Sequence, residues 1–271
     1  MGIWAGVFSA CSAVGRLVYP PFCTICGVGL RGWDGARDGA AILNAQAAGH
    51  LCAGCEGGVR AYGSAFGGGC CVQCSKGLGG RISGWVRCTD CMARGPAFEC
   101  VVAPYLARGS VREVVHQFKY WGRRHLCGLL ARWMAVGLED ERLRAPPPDL
   151  LVPVPLHWLR RMGRGFNQAE LLARELSGGG GWGSRVAGVP VCLALRRGRA
   201  TGTQTRLDRG QRLGNLSGAI EARRVVRSRV EGKKVLLVDD IFTTGATLDV
   251  CARALLCIGA ASVRALAVAR G

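Results

Sequence analysis

Beyond residue 100 the sequence predicts an α/β fold, a parallel sheet with flanking helices, and residues 20–100 predict a small cysteine-stapled module ahead of it. Three observations lead there. After Cys100, apolar strand-like runs alternate with segments of helical spacing, the pattern of a parallel sheet with crossover helices. Eleven of the 15 cysteines lie before residue 101, in a stretch rich in Gly and poor in long periodic patterns. Such a stretch buries too little apolar surface to hold itself together and needs a staple. The 49% apolar content of the whole chain supplies a core and excludes a disordered protein, and 42 glycines without a three-residue period exclude collagen.

Residues 1–19 read as an amphipathic segment, closed by Pro20-Pro21. The first cation is Arg16, behind the apolar part rather than ahead of it, the wrong order for a secretory signal. No apolar run reaches the ~18–20 residues that cross a bilayer. The expectation is a cytoplasmic protein with no transmembrane segment, in which thiols stay reduced and do not form a disulfide framework.

Residues 20–100 carry four CxxC pairs: Cys23/Cys26, Cys52/Cys55, Cys71/Cys74 and Cys88/Cys91. A two-residue gap lets both sulfurs of a tight knuckle face one ion, and two knuckles complete a tetrahedron of thiolates around Zn2+. Two structural zinc sites follow, and the module should fold only with its metal. Sequential pairing, with Cys23, Cys26, Cys52 and Cys55 on one ion and Cys71, Cys74, Cys88 and Cys91 on the other, is the first choice. A cross-braced arrangement uses the same eight ligands, and Cys70 is an alternative to Cys71 with a wider knuckle.

In residues 101–271, Val101 to Leu106 reads as a strand and Val111 to Tyr120 as a helix, with Val111, Val114, Val115 and Phe118 on one face. Leu126 to Leu138 reads as a second helix, and the triple proline ending at Pro148 as a linker. Leu150 to Pro155 is a buried strand, Asn167 to Leu176 a helix and Pro190 to Leu195 a short strand. Arg196 to Leu216 is polar, Gly-rich and basic, and reads as a long loop. Lys234 to Val238, Ala246 to Ile258 and Ser262 to Val268 complete a strand–helix–strand unit.

Charge is unevenly spread. The chain carries +18 overall, and residues 101–271 hold 28 basic against 13 acidic side chains. That part is drawn to anions: phosphates, nucleic acid or acidic lipid. Arg, Gly and Ala bias in coding composition accounts for a share of the excess.

The strongest chemical signal runs from Val235 to Thr247. An apolar strand ends in Asp239 and Asp240, and Thr243, Thr244, Gly245, Ala246 and Thr247 follow as a turn into a helix. Backbone N–H groups at a helix start, with threonine hydroxyls beside them, build a cradle for a phosphate monoester. Gly245 lets the backbone approach closely. Two carboxylates beside a phosphate cradle repel phosphate alone. They suit the neighbouring hydroxyls of a ribose, with Mg2+ to ease the charge.

This segment resembles the phosphoribosyl diphosphate (PRPP) signature of type I phosphoribosyltransferases. The likeness extends further: Cys23-Thr-Ile-Cys26 after Pro20-Pro21, then Phe118-Lys-Tyr120, Val152-Pro-Val-Pro155, Arg164-Gly-Phe-Asn-Gln168, Gln204, Arg212, Asn215 and the Asp239 segment occur in one order. That order is similar to the ComF family of competence-associated proteins, which includes the GntX-like proteins, over roughly residues 18–270. The resemblance implies a type I phosphoribosyltransferase-like parallel sheet preceded by a small N-terminal double zinc ribbon. It implies Asp239 and Asp240 on the ribose hydroxyls and Thr243 to Thr247 on the 5′-phosphate. Leu156, His157 and Arg161 fall in the diphosphate loop, with Arg164 just beyond. Gln204 and Arg212 belong to the flexible loop that closes over PRPP. The family often has consecutive arginines directly before Gly-Phe-Asn-Gln. Here Met162-Gly163 precede Arg164, with Arg160 and Arg161 upstream, so which Arg meets the diphosphate stays open.

The first expectation for function is a PRPP-binding protein that handles incoming single-stranded DNA in natural transformation, with a DNA-uptake helicase as a partner. Lys119, Arg206 and Arg209 are the candidate nucleic-acid contacts. The second is an active phosphoribosyltransferase that displaces diphosphate with a nitrogen nucleophile, with Asp239, Asp240, Arg212 and Gln204 in the catalytic set. The third is a zinc-ribbon adaptor with a regulatory PRPP site.

Overall fold

A computed structural model describes residues 22–30, 51–61, 69–79, 86–156, 165–179, 184–197 and 220–271. The chain divides into two units, Met1–Val59 and Arg60–Gly271. In the first unit, helix α1 (Ala53–Gly57) starts directly after Cys52, whose Sγ accepts the Cys55 N–H. The thiol thus stands where a capping Ser or Asp would.

The second unit is built on a five-stranded, all-parallel sheet. Helix α2 (Thr89–Arg94) precedes strands β1 (Val101–Val102) and β2 (Tyr105–Leu106), helices α3 (Gly109–Tyr120), α4 (Cys127–Gly137) and α5 (Glu141–Arg144), and strand β3 (Leu150–Pro153). Helix α6 (Gln168–Gly178), the hairpin strands β4 (Leu195–Arg197) and β5 (Ile220–Ala222) and helix α7 (Arg227–Val230) follow. Strand β6 (Lys234–Phe242), helix α8 (Ala246–Cys257) and strand β7 (Ser262–Arg270) end the chain.

Strand order is β1-β7-β6-β3, with β2 also on β7. Residues 263 to 269 of β7 are all buried, as expected of a central parallel strand covered on both faces. The strand expected over Val101 to Leu106 is split, because Pro104 has no N–H for the ladder; both pieces still pair with β7. The expected strand over 190–195 is reduced to a bridge, Val191 on Leu151, before β4. β4 starts at Leu195, the last residue of that expected strand, runs into the segment read as loop and pairs antiparallel with β5.

Side chains of neighbouring strand residues point to opposite faces, so strand parity assigns the layers. Val235, Leu237, Val263 and Ala265 pack with Leu248, Cys251 and Leu255 of α8. The other parity meets α4: a methyl group at Gly137 would sit 2.8 Å from Leu266 and 3.2 Å from Val102. Helices therefore cover both faces. The hydrophobic faces read from the sequence match the burial: Val111, Val114, Val115 and Phe118 of α3 are all inside.

The second cysteine pair set packs into this unit. Val101 N–H donates to Gln73 O at 2.8 Å and Ser75 Oγ donates to Val101 O at 2.6 Å. Arg142, which sits in a buried ion pair with Asp140 at 2.8 Å, donates to Val72 O at 2.7 Å. One guanidinium thus ties the cysteine knuckle to α5. Buried Arg264 on β7 caps the same region by donating to the carbonyls of Arg142, Leu143 and Pro146.

Candidate functional site

Two four-thiol groups are present. Cys23, Cys26, Cys52 and Cys55 form one and Cys71, Cys74, Cys88 and Cys91 the other, each with its sulfurs within 4.8 Å of one another. The grouping is sequential, and Cys71 rather than Cys70 joins the second cluster. A tetrahedron with Zn–S near 2.3 Å has sulfur–sulfur edges of about 3.8 Å. Cys26 to Cys52 is 3.6 Å and Cys74 to Cys88 is 3.7 Å, so the donor sets fit a closed structural zinc site. Burial opposes ionisation of Cys71, but N–H groups of Cys88 and Cys74 aimed at its sulfur prevail and bring the thiol down to about 7. In the first cluster Cys23 is likewise brought down to about 6, its burial outweighed by backbone donors at Cys26 and Cys52.

The acidic pair sits within β6, not after it. The strand runs on to Phe242 because β7 offers partners as far as Arg270. On its other edge β6 pairs with β3 only as far as Val238, and among the described residues 239–242 have no strand partner there. As strand neighbours the two acids take opposite faces. Asp240, 7% exposed, receives Lys119 Nζ of α3 at 2.8 Å. Asp239 has the parity of Val235 and Leu237 and its Oδ1 accepts the Asp240 N–H at 2.9 Å. Burial and the Asp240 charge push the Asp239 carboxyl up to about 7, with Lys119 opposing.

The turn after β6 brings the chain into α8. Gly245 has φ +78°, a left-handed conformation that favours glycine, and stands at the N-cap of α8. Thr243 and Thr244 are exposed; Ala246 and Thr247 are half-buried. The α8 ladder begins with Asp249 N–H on Gly245 O at 2.8 Å. No backbone acceptor among the described residues takes the N–H groups of Thr244, Gly245, Thr247 or Leu248. Ala246 N–H, between them, donates to Thr244 Oγ1 at 3.4 Å, so the loop offers four open amides rather than a continuous run at the positive end of a 12-residue helix. A cavity of about 420 Å³ lies against it, with Arg94, Arg253 and Arg270 and the carboxylates Asp90 and Asp249 in its wall.

The strap that follows α2 braces this loop. Arg94 Nη1 donates to Thr244 O at 3.4 Å, Ala97 N–H to Asp249 Oδ1 at 2.6 Å, and Arg253 Nη2 to Gly95 O at 3.3 Å. Phe98 packs where a Cβ on Gly245 would lie 3.4 Å away. Sequence reasoning missed Arg94, Phe98 and Asp249. Arg94 and Phe98 meet the loop from about 150 residues away in the chain, and Asp249, in the first turn of α8, receives Ala97 across the same separation, so no local spacing signals these contacts.

Of the expected diphosphate-loop residues, Leu156 is half-buried just past β3; His157, Arg161 and Arg164 lie outside the described residues. So do Gln204, Arg206, Arg209 and Arg212. Asn167 caps α6 through the Ala169 N–H at 3.2 Å and donates to Val154 O at 3.1 Å, tying the helix to the end of β3. Phe166 is buried, 5.7 Å from the Phe118 ring, with Arg124 over its face at 4.7 Å. Lys119, read as a nucleic-acid contact, is engaged by Asp240 and is 19% exposed. Among the described residues no helix is long and apolar enough to cross a membrane.

Comparison with known proteins places relatives around this geometry. The phosphoribosyl transferase domain family matches residues 162–271. "DNA utilization protein YhgH" of Salmonella typhi is 32% identical over 187 residues, covering 68% of this chain and 77% of that protein. "Competence protein F" of Haemophilus influenzae is 26% identical over 226 residues, 81% of this chain and 90% of the relative. "Competence protein ComFC" of Bacillus subtilis is 38% identical over 122 residues, 45% and 44% of the two chains. Among solved structures, the glutamine PRPP amidotransferase of B. subtilis aligns at 23% identity and a TM-score of 0.32, over 50% of this chain and 24% of that one.

Proposed function

The chain belongs to the family of competence protein F and DNA utilization protein YhgH, and from that premise we propose that it binds PRPP at the β6–α8 loop and handles incoming single-stranded DNA in the cytoplasm during natural transformation. The observation that carries the ligand is the set of four amides at the start of α8, those of Thr244, Gly245, Thr247 and Leu248, that no acceptor among the described residues takes. In this reading the amides and the hydroxyls of Thr243, Thr244 and Thr247 hold the 5′-phosphate. Each hydrogen bond to the charged oxygens contributes about 1.5–3 kcal/mol. Asp239 and Asp240 reach the ribose hydroxyls from the two sides of the β6 edge, Asp240 giving up Lys119 to do so, and their carboxylates are the oxygen donors that would hold Mg2+ and offset the diphosphate charge. Leu156, His157, Arg161 and Arg164 border the diphosphate, and Gln204 and Arg212 close over it.

The nucleic-acid part of the reading is supported by charge. The chain carries +18, and a groove of about 1250 Å³ at the C-terminal end of α8 is walled by Arg196, Arg223, Arg224 and Arg227. Arg206 and Arg209 add two cations from the preceding loop, and a DNA-uptake helicase is the natural partner for a protein that receives a translocated strand. Two structural zinc ions complete the molecule.

Calorimetric titration of PRPP, with and without Mg2+, tests the ligand. Wild type should bind, Thr244→Val and Asp239→Asn should weaken binding at least about tenfold, the equivalent of 1.4 kcal/mol, and all should keep the native circular dichroism spectrum. Equal affinity in both variants would overturn the placement of the ligand.

A further inference from the structure

Three rings stand together on the surface at the C-terminal end of α3. His116 and Tyr120 lie one turn apart with centroids 4.7 Å from each other and planes at 37°. Trp121 is edge-on to His116 at 6.3 Å and 81°. Tyr120 is 61% and Trp121 59% exposed. Aromatic rings usually contribute their large apolar area to a core or an interface. Phe118, two residues earlier, does so and is fully buried. The Arg123 guanidinium lies 5.3 Å over the Trp121 ring and is held there by Gln117 Oε1 at 2.7 Å. The surrounding segment carries Arg108, Arg112, Lys119, Arg123 and Arg124 against one carboxylate, Glu113, which accepts from Gln117 at 2.9 Å.

We propose that His116, Tyr120 and Trp121 form a stacking platform for the unpaired bases of single-stranded DNA, with Arg123 extending the stack and the exposed Arg112 meeting the phosphates. The inference rests on the reading of this chain as a protein that handles single strands, and it assigns residues that reading did not use. Every base has a π-face, so stacking of this kind tolerates any sequence, and a cationic rim supplies the attraction to the backbone. A protein partner would need apolar continuity beyond the rings, whereas the border here is guanidinium. The adjacent residue, Lys119, is spent on Asp240, so the rings and Arg123 rather than Lys119 face the strand.

The test uses the full zinc-loaded chain and a fluorescein-labelled mixed-sequence oligodeoxynucleotide of about 20 nucleotides, longer than the ~4–16 that one small binding module covers. Anisotropy reports affinity. Base stacking is worth about 1–3 kcal/mol per base, so Tyr120→Ala and Trp121→Ala should each lose about 5- to 150-fold, while Trp121→Phe keeps most of the affinity. An abasic strand of equal length should bind wild type no better than the intact strand binds Trp121→Ala. PRPP titration of Trp121→Ala should match wild type. Alanine variants that bind within twofold of wild type, or an abasic strand that binds as well as the intact one, would overturn the platform. If wild type binds no oligonucleotide, the platform falls together with the DNA part of the functional reading, and the PRPP titration alone then judges the loop.

Discussion

Removing the Lys119 charge should destabilise the protein, and removing Asp240 as well should give most of that stability back. The ion pair measures 2.8 Å, with the side chains 19% and 11% exposed. Fully exposed pairs contribute about 0.2–1 kcal/mol, while losing one partner of a fully buried pair costs about 3–5 kcal/mol because the other charge is left uncompensated. This pair lies towards the buried end. Lys119→Met should therefore cost about 2–3 kcal/mol, and Asp240→Asn, which leaves the ammonium without its partner, about 1–2 kcal/mol. The double variant leaves neither charge exposed to an apolar surrounding and should fall within about 1 kcal/mol of wild type. The assay is urea unfolding at saturating zinc for all four proteins, with the slope checked for constancy. At about 2–4 °C per kcal/mol, Lys119→Met should also lower Tm by about 4–12 °C. Single-variant losses that simply add, within about 0.5 kcal/mol, would refute the reasoning, since the cycle would then report no coupling between the two side chains.

Asp239 gives a pH dependence of definite sign. Its carboxyl is raised from the ordinary 3.8 to about 7 by burial and the neighbouring Asp240 charge. An acid raised on folding favours the folded state while protonated, so unliganded stability should fall as pH rises from 5.5 to 7, by up to about 2 kcal/mol at 1.4 kcal/mol per unit. Urea unfolding of wild type against Asp239→Asn checks it, and the variant should show a flatter profile. Gly245→Ala forces a side chain into φ +78° and should cost about 1–2 kcal/mol while weakening PRPP binding by calorimetry. Arg142→Met leaves Asp140 buried without its partner and frees the Val72 carbonyl, and should cost about 3–5 kcal/mol by chemical denaturation. Metal analysis should find two zinc ions per chain; Cys71→Ser should release one. Through the Arg94, Ala97 and Phe98 contacts to the loop, it should also lower PRPP affinity.

Much of the fold was legible because burial imposes local periods. Residues 111–118 carry the helical spacing that α3 uses, and the apolar runs of β3, β6 and β7 announce strands covered on both faces. Boundaries shifted where pairing depends on a neighbour. β6 extends through Asp239 to Phe242 because β7 continues beside it, and that extension turns the two acids to opposite faces. The segment 190–195 shrinks to a bridge on Leu151, because the next residue of β3 facing that edge, Pro153, has no N–H to donate.

By itself the sequence determined the chemistry on offer: four cysteine pairs at knuckle spacing, an acidic pair before a threonine-glycine turn, and a strongly cationic second part. These are short-range patterns, set by ligand geometry and backbone conformation within a few residues. Which knuckles share an ion, which acid Lys119 neutralises, and which strap braces the phosphate loop were decided only by the tertiary structure. Those contacts join residues from 14 to about 150 positions apart, and their partners are chosen by where the fold carries them rather than by any neighbour in the chain.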